Sequence, residues 1–328
     1  MKFFVGCLVL AGLGIVGFIA YVGSWANTPL GVSVAHRVEL DRGQSFSSFA
    51  ASLAEQDVIT RPRLWSWQAR WQGKARRVQA GEYWIQPGDT PASLLDRLLA
   101  GDVISYEIQL IEGWTLREVL AAIARNDVLD HELGSVDGNT LLGVLGLPSG
   151  NAEGLFFPDT YQFTRGASDV EILQRAYDQM QQRLQAAWQN RAVGLPYDNA
   201  YQALIVASLV EKETGRDADR AHISQVFVSR LHAGMRLQTD PSVIYGMGTS
   251  FTGNLTRKHL RTDTPYNTYT RTGLPPTPIA IAGARSIEAA LNPAAGDYLY
   301  FVAGGDGSSH FSVSLEEHEA AVQKYQLR

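Results

Sequence analysis

The segment from Tyr201 to Val210 is apolar on almost every side of the helix that it predicts. Such a helix is stable only where other elements surround it, so the chain must build a core that encloses it. Glu211 and Glu213 end the segment, about 200° apart on the helix. Glu213 lies on the stripe of Leu209 and Val210, where a carboxyl group is costly to ionise and its pKa should rise. It is therefore a candidate general acid, whereas Glu211 is interpreted as structural. The alternative for both is an ordinary solvated helix end.

The composition favours a folded protein of about two domains. The chain has 328 residues, of which 45% are hydrophobic and 19% are charged, enough for a substantial core. A net charge of −5 argues against nucleic acid as a partner. Cys7 is the one cysteine, and the seven histidines are scattered. We therefore expect no disulfide framework, no metal site and no cofactor.

The N-terminus begins with an uncharged run. Phe3 to Val22 contains no charged residue, and about 20 apolar residues in a helix can cross the ~30 Å of hydrocarbon in a bilayer. Lys2 precedes the run, and Arg37 is the first charge after it, which places the N-terminus in the cytoplasm. We expect an uncleaved single-pass anchor at residues 1–23, with the inner (plasma) membrane as its location and the remaining chain on the periplasmic side. A cleaved signal peptide is the alternative, although its apolar region is usually shorter.

A pattern of glycine, Ser/Thr and apolar residues four apart recurs three times with the same spacing. Each copy predicts a helix of about ten residues that begins after an N-cap. The N-caps are Ser45, Thr90 and Thr115, and Thr115 with Glu118 forms a capping box. Short strands are expected at 35–40, 81–85 and 104–111.

The stretch from Ile85 to Thr90 (Ile-Gln-Pro-Gly-Asp-Thr) resembles the opening of LysM modules, which are β-α-α-β units that bind N-acetylglucosamine-containing glycans. The resemblance implies a glycan-binding module at residues 35–130. Small helices that pack on a sheet are the alternative.

Between Arg61 and Arg77 lie six basic residues and three tryptophans, without an acid. We favour tryptophans that fill the core of the small domain, with a solvated basic face. The alternative is a helix that rests on anionic lipid headgroups.

The rest of the chain mixes helices with short strands. Gly134–Gly150 is typical of a loop between domains, and the proline-rich stretch Thr262–Gly283 predicts a shaped loop. We expect a catalytic domain at 150–328 and assign an α+β fold: an N-terminal transmembrane helix, a small LysM-like α/β module and a larger α+β catalytic domain. The remaining predicted elements are helices at Val170–Ala192, Tyr201–Gly215, Arg220–His232 and Leu315–Tyr325, and a strand at Tyr298–Ala303.

Five blocks of sequence carry a family resemblance. They are Glu153–Phe163, Ala207–Thr214, Met235–Gly248, Tyr266–Pro276 and Tyr298–Ala303. In this order they are similar to the signature of the endolytic murein transglycosylases, the YceG-like family of membrane-bound lytic enzymes. Two places depart from the pattern: Thr277 stands where the family more often has Gly, and Ile281-Ala282 where Asn-Pro is commoner.

The resemblance implies a membrane-anchored lytic transglycosylase whose catalytic residue is Glu213. Such an enzyme cleaves the MurNAc–GlcNAc bond of nascent peptidoglycan, with a 1,6-anhydromuramic acid end as product and a role in glycan strand length. The attacking group is the C6 hydroxyl of the same sugar, so proximity replaces a water-activating base. One carboxyl group then serves as acid and afterwards as base.

The expected substrate-binding residues offer carboxylates, amides, hydroxyls and aromatic rings, which are common in saccharide sites. They are Glu153, Gln238, Thr239, Asp240, Tyr266, Asn267 and Tyr269. Each also has a structural alternative: a strand cap for Glu153, an Asx turn led by Asp240, and loop packing for the tyrosines and Asn267. The chain before Pro241 is expected to be extended.

Two other functions remain open from the sequence. One is a muramidase-type hydrolase with Glu213 as acid and Glu153 or Asp240 as base. The other is a non-catalytic glycan-binding scaffold of the cell-wall machinery. The expected partners are peptidoglycan glycan strands and the membrane through residues 3–22, with peptidoglycan synthases as further candidates.

Overall fold

A computed structural model describes residues 2–134, 136–138 and 140–326. Within it the chain forms two compact units. The first unit comprises the chain up to Glu107 with Val128–Asp130 and Gln162–Ala167. The second comprises Ile108–Asp127, His131–Tyr161 and the chain from Ser168 onward.

The secondary structure mixes helices with three small two-stranded sheets in the described residues, which confirms the α+β class. The sheets pair β1 with β2, β3 with β4, and β5 with β6. The elements in chain order are α1 (Lys2–Ala26), β1 (His36–Leu40), α2 (Phe46–Glu55), α3 (Pro62–Trp71), β2 (Gly81–Ile85), α4 (Pro91–Ala100), β3 (Tyr106–Gln109), α5 (Leu116–Ala124), α6 (Leu141–Val144), β4 (Thr160–Phe163), α7 (Asp169–Gln189), α8 (Ala200–Glu213), α9 (Asp217–His232), α10 (Asp240–Met247), a 3₁₀ turn (Gly248–Ser250), α11 (Arg257–Arg261), α12 (Ala284–Leu291), β5 (Tyr300–Ala303), β6 (Ser309–Ser312) and α13 (Leu315–Tyr325).

The three repeated helix starts are confirmed. Ser45, Thr90 and Thr115 each accept a hydrogen bond from the backbone N–H three residues later. Thr90 and Thr115 complete capping boxes, the latter with Glu118 as predicted. These caps satisfy amides that have no partner inside the helix, so α2, α4 and α5 begin where the sequence places them.

The first unit has its own core, in which β1 and β2 pair antiparallel with His36 opposite Ile85 and Leu40 opposite Gly81. The β-α-α-β order is formed by β1, α2, α3 and β2. The LysM-like motif, Ile85–Thr90, lies at the end of this β-α-α-β segment, between β2 and α4. Its glycan-binding role stays a prediction. The fully buried side chains of this core include Phe49, Leu53, Trp65, Tyr83 and Ile85.

The interpretation of the α3 tryptophans as core residues holds for one of the three. Trp65 is fully buried, and its Nε1 donates to the Pro91 carbonyl at 3.1 Å. Trp67 and Trp71 are 42% and 64% exposed, so the prediction is wrong for them. Helical spacing groups residues by face but does not show which face other elements cover.

The end of α1 enters the core of the first unit through Trp25 and Ala26. Val22, one turn earlier, is also buried. No helix among the described residues combines the length and apolarity that a membrane span needs. The anchor at residues 1–23 therefore stays a prediction, and its first residue lies outside the described part of the chain.

The core of the second unit surrounds α8. Every residue from Ala203 to Val210 is buried, as the all-round apolar pattern predicts. The helices that pack against α8 are α7, α9, α10 and α12.

Two local predictions in this unit were wrong. The loop at Gly134–Gly150 contains α6, a single turn that buries Leu141 and Leu142. Asp240 begins α10 instead of lying in extended chain. Pro241 is tolerated there because the first turn of a helix needs no internal N–H donor.

Candidate active site

Glu213 is the last residue of α8, and the enclosed helix fixes its position. Thr239 Oγ1 donates a hydrogen bond to Glu213 Oε1 at 2.5 Å. The pKa of Glu213 is raised to about 7, mainly by burial and to a smaller extent by the charge of Asp240. The hydroxyl of Thr239 and the charge of Arg230 act in the opposite direction. The carboxyl group is therefore poised to hold or release a proton near neutral pH, which fits the pKa shift predicted from the sequence.

The Gln238–Thr239 segment that meets Glu213 is held by Thr268. The Gln238 N–H donates to the Thr268 carbonyl at 3.1 Å, and the Thr239 N–H donates to Thr268 Oγ1 at 3.0 Å. Gln238 has φ of 51°, in the left-handed region that non-glycine residues seldom adopt. Its side chain is exposed. Strain of this kind persists where the surrounding structure holds the backbone firmly, so the position of the Thr239 hydroxyl is well determined.

Arg230 is a charged group near Glu213 that the sequence analysis missed. It is buried, its Nε donates to the Leu299 carbonyl at 2.7 Å, and its Nη1 donates to the Leu237 carbonyl at 2.7 Å. Burial lowers the pKa of Arg230. A signal was present, because Arg230 lies four residues after Val226 and three after Phe227, on the inward face of α9.

Asp240 and Tyr269 are brought together. The Tyr269 hydroxyl donates to Asp240 Oδ1 at 2.6 Å, and the Asp240 side chain is exposed. The charge of Asp240 also raises the pKa of Glu213. These two substrate-binding candidates therefore lie at the same site as the candidate acid.

Glu153 is a buried carboxyl group, and both of its oxygens accept hydrogen bonds. Oε1 accepts the Leu116 N–H at 2.8 Å, and Oε2 accepts the Tyr245 hydroxyl at 2.9 Å. Burial raises the pKa of Glu153 to about 6, against the lowering effect of these bonds. Leu116 is the first residue of α5, so Glu153 caps that helix rather than a strand, and it also holds α10 through Tyr245.

Tyr266 lies beside Tyr245, edge to face, with ring centroids 4.8 Å apart. The Tyr266 hydroxyl shares a hydrogen bond with Thr277 Oγ1 at 2.9 Å. The departure from the family pattern at Thr277 thus supplies a contact to a cleft tyrosine. At the other departure, the Ile281 N–H donates to the Trp114 carbonyl at 2.7 Å.

Asn267 has a different place from the one expected. Its side chain is fully buried, and Nδ2 donates to the carbonyls of His259, Leu260 and Thr262 at 3.2, 3.2 and 2.7 Å. Oδ1 accepts the Tyr269 N–H at 2.9 Å. The amide therefore shapes the loop that carries Tyr266 and Tyr269, and a direct contact of Asn267 with substrate stays a prediction that these bonds do not favour.

Glu211 lies on the other side of α8 from the cleft residues. Its Oε1 is 3.4 Å from Arg220 Nη2, and its Oε2 accepts the Gly283 N–H at 3.0 Å. These contacts tie α8 to α9 and to the start of α12, which is a structural role.

A cleft of about 800 Å³ lies beside Glu213 and Asp240. Its wall includes Lys212 and Pro241, the chain neighbours of Glu213 and Asp240. No cluster of His, Cys, Asp and Glu able to hold a metal ion is found in the described part of the chain. The cleft is lined by Thr115, Arg117, Glu118, Glu153, Lys212, Pro241, Ile244, Tyr245, Gly248, Thr249, Phe251, Tyr266 and Ile279.

Comparison with known proteins gives consistent matches. The model of the YceG-like family matches residues 38–324. An endolytic murein transglycosylase of Bacillus subtilis is 32% identical over 305 residues, which cover 88% of this chain and 84% of that protein. An endolytic murein transglycosylase of Streptococcus pneumoniae is 29% identical over 179 residues, 53% of this chain but 32% of its own length. A crystal structure of a YceG-like protein from Listeria monocytogenes is 28% identical, with a TM-score of 0.53 and coverage of 88% of this chain and 99% of that one.

Proposed function

This chain belongs to the YceG-like family, as its five sequence blocks predict, and we propose that it is a peptidoglycan lytic transglycosylase. The proposal rests on the state of Glu213. The pKa of its carboxyl group is raised to about 7, and one of its oxygens accepts a hydrogen bond from the Thr239 hydroxyl. A group that is protonated in part at neutral pH can give a proton to a leaving oxygen and take one back.

The reaction that we propose breaks the MurNAc–GlcNAc bond inside a glycan strand. Glu213 protonates the oxygen that leaves, and the C6 hydroxyl of the same muramic acid then attacks its C1. Glu213 accepts the proton of that hydroxyl, so the residue ends in its starting state and a 1,6-anhydro end forms without water. Thr239 binds Oε1, and we assign the transferred proton to Oε2.

The muramidase-type alternative needs a carboxylate that can activate water. Glu153 has both oxygens engaged, by Leu116 and Tyr245, and Asp240 accepts the Tyr269 hydroxyl. These contacts favour the reaction with one catalytic carboxyl group. Digestion in water labelled with heavy oxygen separates the two reactions, because a hydrolase incorporates the label at the new end and a transglycosylase does not.

The decisive variant is Glu213→Gln, which retains the shape of the side chain and removes its transferable proton. We expect the release of anhydro-muropeptides, measured by mass spectrometry, to fall by at least about 10²-fold. Glu211→Gln makes the same chemical change on the other side of α8, where Glu211 contacts Arg220 and the Gly283 N–H, and serves as the matched control. Near-normal release by Glu213→Gln at matched folding would overturn the assignment.

We also propose that residues 3–22 anchor the protein in the membrane with its catalytic domain outside, where it meets nascent strands and sets their length. The support is the uncharged run after Lys2 and the exposure of apolar α1 side chains such as Leu10, Leu13 and Val16. Two further proposals follow. The LysM-like motif supports glycan binding by the first unit, and the glycan strand that the enzyme would share with peptidoglycan synthases supports contact with them. A mature N-terminus near residue 24 would contradict the anchor.

A further inference from the structure

One face of α3 carries arginine and tryptophan in alternation. Arg63, Trp67, Arg70 and Trp71 are all exposed, and their spacing places them within about 100° of the helix circumference. This set is called the Arg–Trp face. The opposite side of α3 buries Trp65 and Ala69, so the helix is anchored in the core of the first unit and presents the Arg–Trp face outward.

The two tryptophans of this face form a stacked aromatic surface. Their rings are stacked, 6.0 Å apart between centroids and within 3° of parallel. Trp71 is 64% exposed and Trp67 42%. Exposed, ordered tryptophans of this kind are concentrated at binding surfaces and at membrane interfaces, because the ring is apolar and its N–H needs a polar partner.

The Arg–Trp face is continuous with exposed apolar side chains of α1, in the same unit. Trp67 meets Phe18 edge to face at 5.2 Å, and the guanidinium of Arg61 lies over the ring of Tyr21 at 5.2 Å. Phe18 and Tyr21 are themselves 44% and 47% exposed. On the N-terminal side of Tyr21, α1 exposes aliphatic side chains: Val9, Leu10, Leu13, Ile15, Val16 and Ile19.

The surrounding charge is positive. Residues 61–77 hold six basic residues and no acid, in a chain of net charge −5. Lys74 is paired with Asp96 at 3.3 Å, whereas Arg63, Arg70, Arg76 and Arg77 are exposed. A basic surface that also bears tryptophan and adjoins aliphatic side chains matches the headgroup region of an anionic bilayer, with cations at the phosphates and rings at the acyl boundary.

We propose that α3 is an interfacial helix that docks the first unit on an anionic lipid surface through Arg63, Trp67, Arg70 and Trp71. A glycan strand would also stack on tryptophan, but it offers nothing to the aliphatic side chains of α1 that continue from this face. Docking would hold the first unit against the bilayer whether or not residues 3–22 cross it, so the inference is independent of the proposed enzymatic reaction.

The test is tryptophan quenching in the full chain, reconstituted into vesicles that contain brominated acyl chains. One set of vesicles is phosphatidylcholine, and the other contains phosphatidylglycerol in addition. We expect stronger quenching in the anionic vesicles, and the loss of this difference in Trp67→Phe/Trp71→Phe. Arg63→Gln/Arg70→Gln should weaken the docking equilibrium on anionic vesicles by about thirtyfold, since each surface arginine contributes about five- to sixfold.

Matched controls lie in the second unit. Trp188→Phe removes a tryptophan from α7, and Arg257→Gln/Arg261→Gln removes two exposed charges four residues apart on α11. In both controls the difference in fluorescence quenching between anionic and neutral vesicles should equal that of the wild type. Equal quenching in neutral and anionic vesicles would overturn the proposal, as would an equal effect of the control arginines. Protection of the tryptophans from aqueous acrylamide by soluble glycan strands, without a lipid effect, would assign the face to glycan and would also overturn it.

Discussion

The Thr239 hydroxyl donates to the Glu213 carboxylate across 26 positions of sequence, at 2.5 Å. This bond stabilises the charged form, and the burial that raises the pKa of Glu213 acts against it. The pKa of Glu213 is therefore set mainly by two opposing effects: burial, which raises it, and the hydrogen bond from Thr239, which lowers it.

Thr239→Val should shift the pH profile of activity upward. Without the hydroxyl the pKa of Glu213 rises above about 7, and a bond to a charged group corresponds to about one to two pH units. The fall of kcat/KM at high pH, where the acid loses its proton, should move up by about one unit. Thr239→Ser retains the donor and should leave the profile in place. An unshifted profile in Thr239→Val would show that the bond does not tune the acid.

Glu213 should also make stability depend on pH. Its pKa is about 7 in the folded protein against an ordinary 4.5, so the folded state binds the proton more tightly. The stabilisation is complete below pH 4.5 and is lost as pH rises through about 7. We expect this loss to be on the order of 2 kcal/mol, after allowance for the partly accessible side chain. Urea unfolding across this range should show a smaller decline in Glu213→Gln, and parallel declines would contradict the buried acid.

Glu211→Gln should lower stability while leaving the chemistry intact. The change weakens the contact with Arg220 and retains an acceptor for the Gly283 N–H. Loss of a buried charge partner costs about 3 kcal/mol or more when the remaining charge is unpaired, and less here because Asp217 also pairs with Arg220. We expect a lower Tm and near-normal turnover per folded molecule. A loss of turnover equal to that of Glu213→Gln would assign Glu211 to the reaction.

Tyr245→Phe should destabilise the protein mainly above about pH 6. The Tyr245 hydroxyl bonds Glu153 Oε2, and this bond favours the charged carboxylate, whose pKa is about 6. Its removal costs about 1–2 kcal/mol where Glu153 is ionised and less where it is protonated. Chemical unfolding on both sides of pH 6 measures the difference. Tyr266→Phe, whose hydroxyl meets the neutral Thr277, should show no such pH dependence.

Sequence reasoning succeeded where the cause is local. The caps at Ser45, Thr90 and Thr115 involve side chains and amides three residues apart, and the burial of α8 follows from its composition alone. Features that depend on tertiary contacts were not predicted from the sequence. The left-handed backbone of Gln238 is held by Thr268, and the covered side of α3 depends on α1 and α2, so neither could be read from spacing.

The enclosure of α8 has a consequence for heat sensitivity. Ala203, Ala207 and Ser208 are small and fully covered, so a larger side chain at any of them has no surface into which to expand. A larger side chain therefore strains the packing around α8, and close-packed interiors transmit strain to neighbouring groups. Glu213 is the last residue of this helix, so the strain reaches its carboxyl group. Conditional variants, active in the cold and inactive when warmed, should therefore cluster at these three positions, about one to three helical turns before the carboxyl group that they disable.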